Sequence, residues 1–140
     1  MTKDEIIGIC NKYKINNYII NDDLSISVIG DVLLRDFNLE NIPLNFNVIY
    51  GDFIISFNKL TSLKGCPKHI GGTFYCSHNK LTNLENSPLY IRHDFDLIGN
   101  PLQNIDGLNV NYDKLIIVNK EKLIKNHKRK LNIKNILNYE

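Results

Sequence analysis

Asn-Lys-Leu-Thr at residues 58–61 returns as Asn-Lys-Leu-Thr at 79–82, and this displacement of 21 residues holds over most of the chain. Four segments align without gaps, beginning at Gly30, Gly51, Gly72 and His93. Position three of each is Val32, Phe53, Phe74 and Phe95, and position five is Leu34, Ile55, Cys76 and Leu97. Position ten is always leucine (Leu39, Leu60, Leu81, Leu102), position thirteen is Ile42, Leu63, Leu84 and Ile105, and position twenty is Ile49, Ile70 and Ile91. A segment this short cannot bury five apolar side chains alone. Neighbouring copies must therefore stack, each contributing one layer to a shared core.

Positions three and five alternate with less constrained residues, which predicts a short strand with one face inward. Asn58, Asn79 and Asn100 then stand at position eight, where a tight bend is expected. A side-chain amide there can bond backbone groups of its own bend and of the adjacent coil. The first copy has Phe37 at this place, so its bend should be built differently. Return stretches such as Lys64–Gly72 contain Gly and Pro and are too short for a regular helix, so turns and extended backbone are expected. The predicted fold is mainly β: a short solenoid carrying a single curved sheet of about five or six strands.

The pattern Phe-x-Ile-x-x-Asn-x-Leu-x-x-Leu resembles the leucine-rich repeat. In wording it is similar to a group of repeat proteins common in bacteriophage genomes. The resemblance spans roughly residues 18–108 and rests on Gly-Asp-Phe at 51–53, Asn-Lys-Leu-Thr-Ser-Leu at 58–63, Gly-Cys-Pro-Lys at 65–68 and Asn-Lys-Leu-Thr at 79–82. One departure is that the aliphatic before each strand (Ile49, Ile70, Ile91) sits one residue earlier than in common leucine-rich repeats, so the convex side is expected to wind differently. The resemblance implies a curved solenoid that binds protein ligands and names no particular partner; if the likeness to phage proteins holds, a host or defence protein is the expected target by analogy, with inhibition as the effect. It implies no reaction.

The ends of a solenoid need caps, because the first and last coils would otherwise expose apolar edges. Thr2 followed by Glu5 has capping-box spacing ahead of Ile6, Ile7, Ile9, Cys10 and Tyr13, which predicts a helix over about residues 3–14. Two apolar runs around Asn21-Asp22-Asp23 then predict a hairpin. Leu115–Val118 reads as a last strand and the following segment has helical composition, with Leu123, Ile124, Leu131, Ile136 and Leu137 available to cover the last coil. The expected organisation is an N-terminal cap at 1–29, four repeats at 30–113 and a basic cap at 114–140.

Charge follows the same division. Residues 1–113 hold nine Lys/Arg against thirteen Asp/Glu, a net of −4, while residues 114–140 hold eight against two, a net of +6. No apolar run approaches the ~18–20 residues of a membrane helix. The N-terminus Met-Thr-Lys-Asp-Glu has acids where a signal peptide has bases. The expected location is the cytoplasm, that of the host cell if the chain is phage-encoded. The three cysteines, Cys10, Cys66 and Cys76, show no paired spacing and argue against a disulfide framework.

The sharpest candidate for metal chemistry is Cys66, His69, Cys76 and His78, since zinc takes thiolate and imidazole ligands. The repeat pattern speaks against it: Cys76 occupies the core column of Leu34, Ile55 and Leu97, and His78 lies past the strand end. The four histidines fall in different columns and none accompanies a nucleophile motif. Gly71-Gly72 sits between strands, not in a loop that cradles phosphate and opens a helix. The Gly-Asp pairs at 30–31 and 51–52 read as turn-finishing residues. The chain is expected to be no enzyme and to use no cofactor or metal.

The strand face directed away from the core carries the functional signal. Position four presents Leu33, Ile54, Tyr75 and Asp96; position six presents Arg35, Ser56, Ser77 and Ile98; position seven adds Phe57 and His78. A merely solvated face would be polar, so these apolar side chains predict contact with another protein or with a second copy of the chain, the alternative being a terminal segment that folds over the face and makes it a second core. Five or six strands at ~4.8 Å make a sheet only ~20–24 Å long, while a standard interface takes ~800 Å² from each partner. Adjacent turns or the basic C-terminus should therefore take part. The rival reading is a nucleic-acid-directed protein that uses residues 120–134, where Lys125, Lys128, Arg129 and Lys130 could hold phosphates electrostatically. A membrane partner is not expected.

Overall fold

Each of the first three copies folds as one coil that contributes not one strand but two. In the computed structural model, which describes residues 1–108, 113–117 and 120–137, the chain begins with helix α1 (Lys3–Lys12) and the hairpin β1 (Tyr18–Ile20) and β2 (Ile26–Val28). The repeats supply β3 (Val32–Leu33), β4 (Phe46–Ile49), β5 (Phe53–Ile54), β6 (His69–Ile70), β7 (Phe74–Tyr75), β8 (Tyr90–Ile91) and β9 (Asp94–Asp96). Strand β10 (Lys114–Ile116) and helix α2 (Lys120–Leu137) follow. The single curved sheet expected from the repeats is corrected to two five-stranded sheets. Sheet I has the order β1-β2-β4-β6-β8 and sheet II the order β10-β9-β7-β5-β3. The cause lies in the short return segment: it ends in extended backbone, and the isoleucine at position twenty recurs in the first three coils. Its backbone therefore pairs with the coil before it just as the strand at position three does.

Pairing between coils is parallel and keeps the repeat register: Phe53 aligns with Val32 and Phe74, Phe95 with Phe74, and Ile70 with Ile49 and Ile91. All five apolar columns are buried, except that Leu102 in the last coil is only partly covered. Phe53 stacks on Phe74 with ring centroids 5.2 Å apart, and Phe74 on Phe95 at 4.9 Å, so the column forms a continuous aromatic spine. Fully burying one such side chain contributes ~1.5–3 kcal/mol. The spine is a main source of cohesion between layers.

The asparagine column explains how the bends close. Asn79 Nδ2 donates to Ile55 O (3.0 Å) in the preceding coil and to Cys76 O (3.3 Å) in its own, while its Oδ1 accepts the Leu60 N–H (3.0 Å). Asn58 and Asn100 repeat the scheme one coil earlier and later. Every rung reaches back toward the N-terminus. The first bend, which has Phe37 instead, turns on left-handed Asp36 (φ 60°) and Asn38 (φ 57°), and Phe37 packs edge-on against Tyr13. Asp31 and Asp52 form a second ladder: Asp31 Oδ1 accepts the Asp52 N–H and Asp52 Oδ1 accepts the Thr73 N–H, both at 2.7 Å.

Helix α1 starts with the capping box expected at Thr2 and Glu5, each bonding the other's backbone N–H. It ends earlier than residue 14 because Lys14 is left-handed (φ 54°), with its N–H on Asn11 O and that of Ile15 on Cys10 O. This is the Schellman arrangement, formed without glycine. Ile6 and Cys10 are buried under the first coil. The predicted hairpin is present as β1 and β2, and β2 continues into the parallel ladder with β4. At the other end β10 pairs with β9, while Val118 lies outside the described residues. In α2, Leu123 is buried, Ile124 packs on the core, and Leu131, expected to share that face, is exposed beyond the His127–Asp106 contact. The side chains of Ile136 and Leu137 lie outside the described residues. No helix among the described residues is long and apolar enough to cross a membrane.

Candidate interaction face

Position seven, immediately before the asparagine column, is left-handed in every coil: Asp36 (φ 60°), Phe57 (59°), His78 (54°) and Gly99 (75°). This conformation costs a side-chain-bearing residue roughly 1–2 kcal/mol. Glycine relieves it in one coil only, and two coils use aromatic residues. The Phe57 and His78 rings stack at 4.5 Å with 19° between planes, and the Arg35 guanidinium lies over the other face of Phe57 at 4.6 Å from its centroid. His78 in turn sits on Gly99, where a Cβ would come within 2.5 Å of His78 Nδ1. The bend edge thus carries a column of Arg35, Phe57 and His78 seated on bare backbone.

Beside this column, position four of sheet II presents exposed Leu33 (58%) and Tyr75 (37%), with Ile54 and Asp96 half-buried between and beyond them. At position six Arg35 and Ile98 are exposed. Ser56 and Ser77 depart from expectation: they are 3% and 7% exposed, and their Oγ atoms bond to each other at 3.0 Å. Two small hydroxyls in adjacent coils satisfy each other beneath larger neighbours and present no surface to a partner. Asp96 Oδ1 accepts the Ile98 N–H (3.1 Å), so part of its carboxylate serves the local turn. The fold therefore brings Leu33, Arg35, Ile54, Phe57, Tyr75, His78, Asp96 and Ile98 to one side and withdraws Ser56 and Ser77. Among the described residues, neither terminal helix covers this face.

The basic segment is divided. Lys125, Lys128 and Arg129 point to solvent, while Lys130 Nζ donates to Asp106 Oδ2 at 2.6 Å and helps hold α2 on the last coil. His127 Nδ1 is buried 3.8 Å from Asp106 Oδ1, beyond hydrogen-bond distance, with no partner among the described residues.

The four residues with zinc-ligand chemistry are spread over the coil. Cys76 is buried in the core, His69 is exposed on β6 of sheet I, His78 is exposed after β7 of sheet II, and Cys66 is half-buried. Burial pushes the Cys66 and Cys76 thiols up, which favours neutral packing over ligation. Among the described residues no group of three or more His, Cys, Asp or Glu is placed to hold a metal ion. Phe57 and His78 stand on this edge as expected, but the left-handed backbone that they share with Asp36 and Gly99 was not legible, because those four residue types share no chemistry. The signal available was positional: each immediately precedes the residue that closes the bend.

Fold and face together define a short, helix-capped β-solenoid with two sheets and a partly apolar exposed side on sheet II. No family model matches the chain, and no curated protein and no solved structure matches it.

Proposed function

We propose that this chain is a non-catalytic protein-binding module whose partner docks on the exposed side of sheet II and the bend edge beside it. The observation that carries this reading is the exposed set Leu33, Phe57, Tyr75 and Ile98, spread across four coils and flanked by Arg35 and His78. Interfaces favour aromatic and arginine anchors whose conformation is fixed before binding, since little side-chain entropy is then lost. The stack of Arg35, Phe57 and His78 has this character. Aromatic residues also persist at two positions where glycine would remove backbone strain, and strain of this kind concentrates where function requires it. The likeness to bacteriophage repeat proteins favours a host or defence protein as partner, with inhibition as the effect.

The test substitutes Ile54→Asp and Tyr75→Asp and follows affinity capture from a host lysate together with circular dichroism. Lost capture with an unchanged spectrum supports the face. Capture retained by both variants, or unfolding of both, overturns it. The rival reading on the basic segment is tested by changing Lys128 and Arg129 to Glu. Nucleic-acid affinity that survives this change removes α2 from consideration.

A further inference from the structure

Strand β3 is the N-terminal edge of sheet II, and its backbone is only half used. The N–H groups of Val32, Leu34 and Asp36 donate to Asp52 O, Ile54 O and Ser56 O in the next coil. Alternate residues of a strand direct their backbone groups to opposite sides. Those of Asp31, Leu33 and Arg35 therefore face outward, away from β5, and among the described residues β3 pairs with no other strand. Beyond this edge lies a cleft of about 520 Å³, bounded on its far side by residues 13–17. Ile29, Leu33 and Phe37 line it at four-residue spacing, and all three are exposed.

An open strand edge beside an apolar cleft accepts an extended chain, which gains main-chain hydrogen bonds from the edge and side-chain contacts from the cleft. The charges select among such chains. Lys14 and Arg35 both line the cleft, and neither has an acidic partner among the described residues. The cleft's one carboxylate, Asp31, already accepts the Asp52 N–H. We infer that the cleft beside β3 takes an extended segment of a partner protein, with apolar residues alternating with acidic ones, which adds to sheet II as a sixth strand. The inference rests on the protein-binding reading and specifies the partner's chemistry and conformation. Its footprint shares Leu33 and Arg35 with the exposed side, so one partner can grip both.

The experiment titrates the isotope-labelled full chain with an acetylated, amidated peptide Val-Glu-Val-Glu-Val-Glu. It compares this peptide with its Val-Lys counterpart and with a backbone-methylated form that keeps the side chains and loses the donors. The amide resonances of Leu33 and Arg35 are expected to shift, and the Leu33 N–H to become protected from exchange. The Val-Lys and methylated peptides are expected to bind about tenfold or more weakly. Leu33→Pro removes the outward donor and should abolish binding, while Leu33→Ala, which keeps the donor and loses only a side-chain contact with the cleft, should weaken it by a smaller factor. The inference is overturned if millimolar Val-Glu peptide leaves Leu33 unperturbed, if the Val-Lys or methylated peptide binds equally, or if Leu33→Pro still binds. Leu33 protection that rises with protein concentration in the absence of peptide assigns the edge to a second copy and also overturns it. A silent peptide titration with partner capture that Tyr75→Asp abolishes sinks the edge and keeps the face. A positive titration with capture insensitive to Tyr75→Asp does the reverse.

Discussion

Phe57 and His78 hold a backbone conformation that favours glycine, and they gain from it a stack with Arg35. Stability and binding should therefore separate at this position. Replacing Phe57 with Gly relieves roughly 1–2 kcal/mol of left-handed strain and forfeits stacking worth about 0.5–1.5 kcal/mol. The expected result is a urea midpoint close to that of the parent chain with partner capture lost. A large fall in the midpoint would show that the ring is structural. Asn79 is the opposite case, because its buried amide serves three segments of backbone. Asn79→Ala leaves those groups unpaired and should cost about 2–4 kcal/mol in denaturant unfolding, whereas exposed Lys80→Ala should change little. The Cys76 thiol is held neutral by burial, reinforced by the Asp96 carboxylate and opposed by the Asn79 bond. Its folded pKa is raised, so its contribution is complete below the free-thiol value and drains away as pH climbs from there toward the folded value. Urea midpoints should fall between about pH 8 and about pH 10, and less steeply in Cys76→Val.

At the level of elements, α2 is held to the last coil by Leu123 and by Asp106, which pairs with Lys130 while leaving His127 Nδ1 unserved. An unpartnered buried nitrogen is a cost that an apolar side chain does not carry. His127→Leu should therefore dock α2 more tightly and slow proteolysis within residues 120–130; faster cleavage would show that His127 has a partner in solution. The elements also show what could be read from residue order. Both helices, the hairpin, the strand at position three and the asparagine bend each follow from a local signal: a capping box, alternation, or a repeated amide. The second sheet was not legible, since a two-residue strand such as His69–Ile70 has no periodicity of its own and exists only because the neighbouring coil offers the same backbone. The candidate face was half legible. Exposure of Leu33 and Tyr75 follows from alternation, but burial of Ser56 and Ser77 depends on their meeting across coils, which no single copy encodes.

For the molecule as a whole, cohesion is a sum over neighbouring layers. Phe74 stacks on both sides, so Phe74→Ala should cost about 3–5 kcal/mol and exceed the cost of Val32→Ala in the first coil, as measured by equilibrium unfolding. The backward reach of the asparagines gives this stack a direction. Asn58, Asn79 and Asn100 each need the bend before them, and none needs the bend after. A nascent coil leaving the ribosome therefore meets a finished template, because the groups it must bond are already displayed by its predecessor. Synthesis and assembly run the same way. A chain shortened from its front strands a buried amide, while one shortened from its back merely uncovers a surface ready for the next layer.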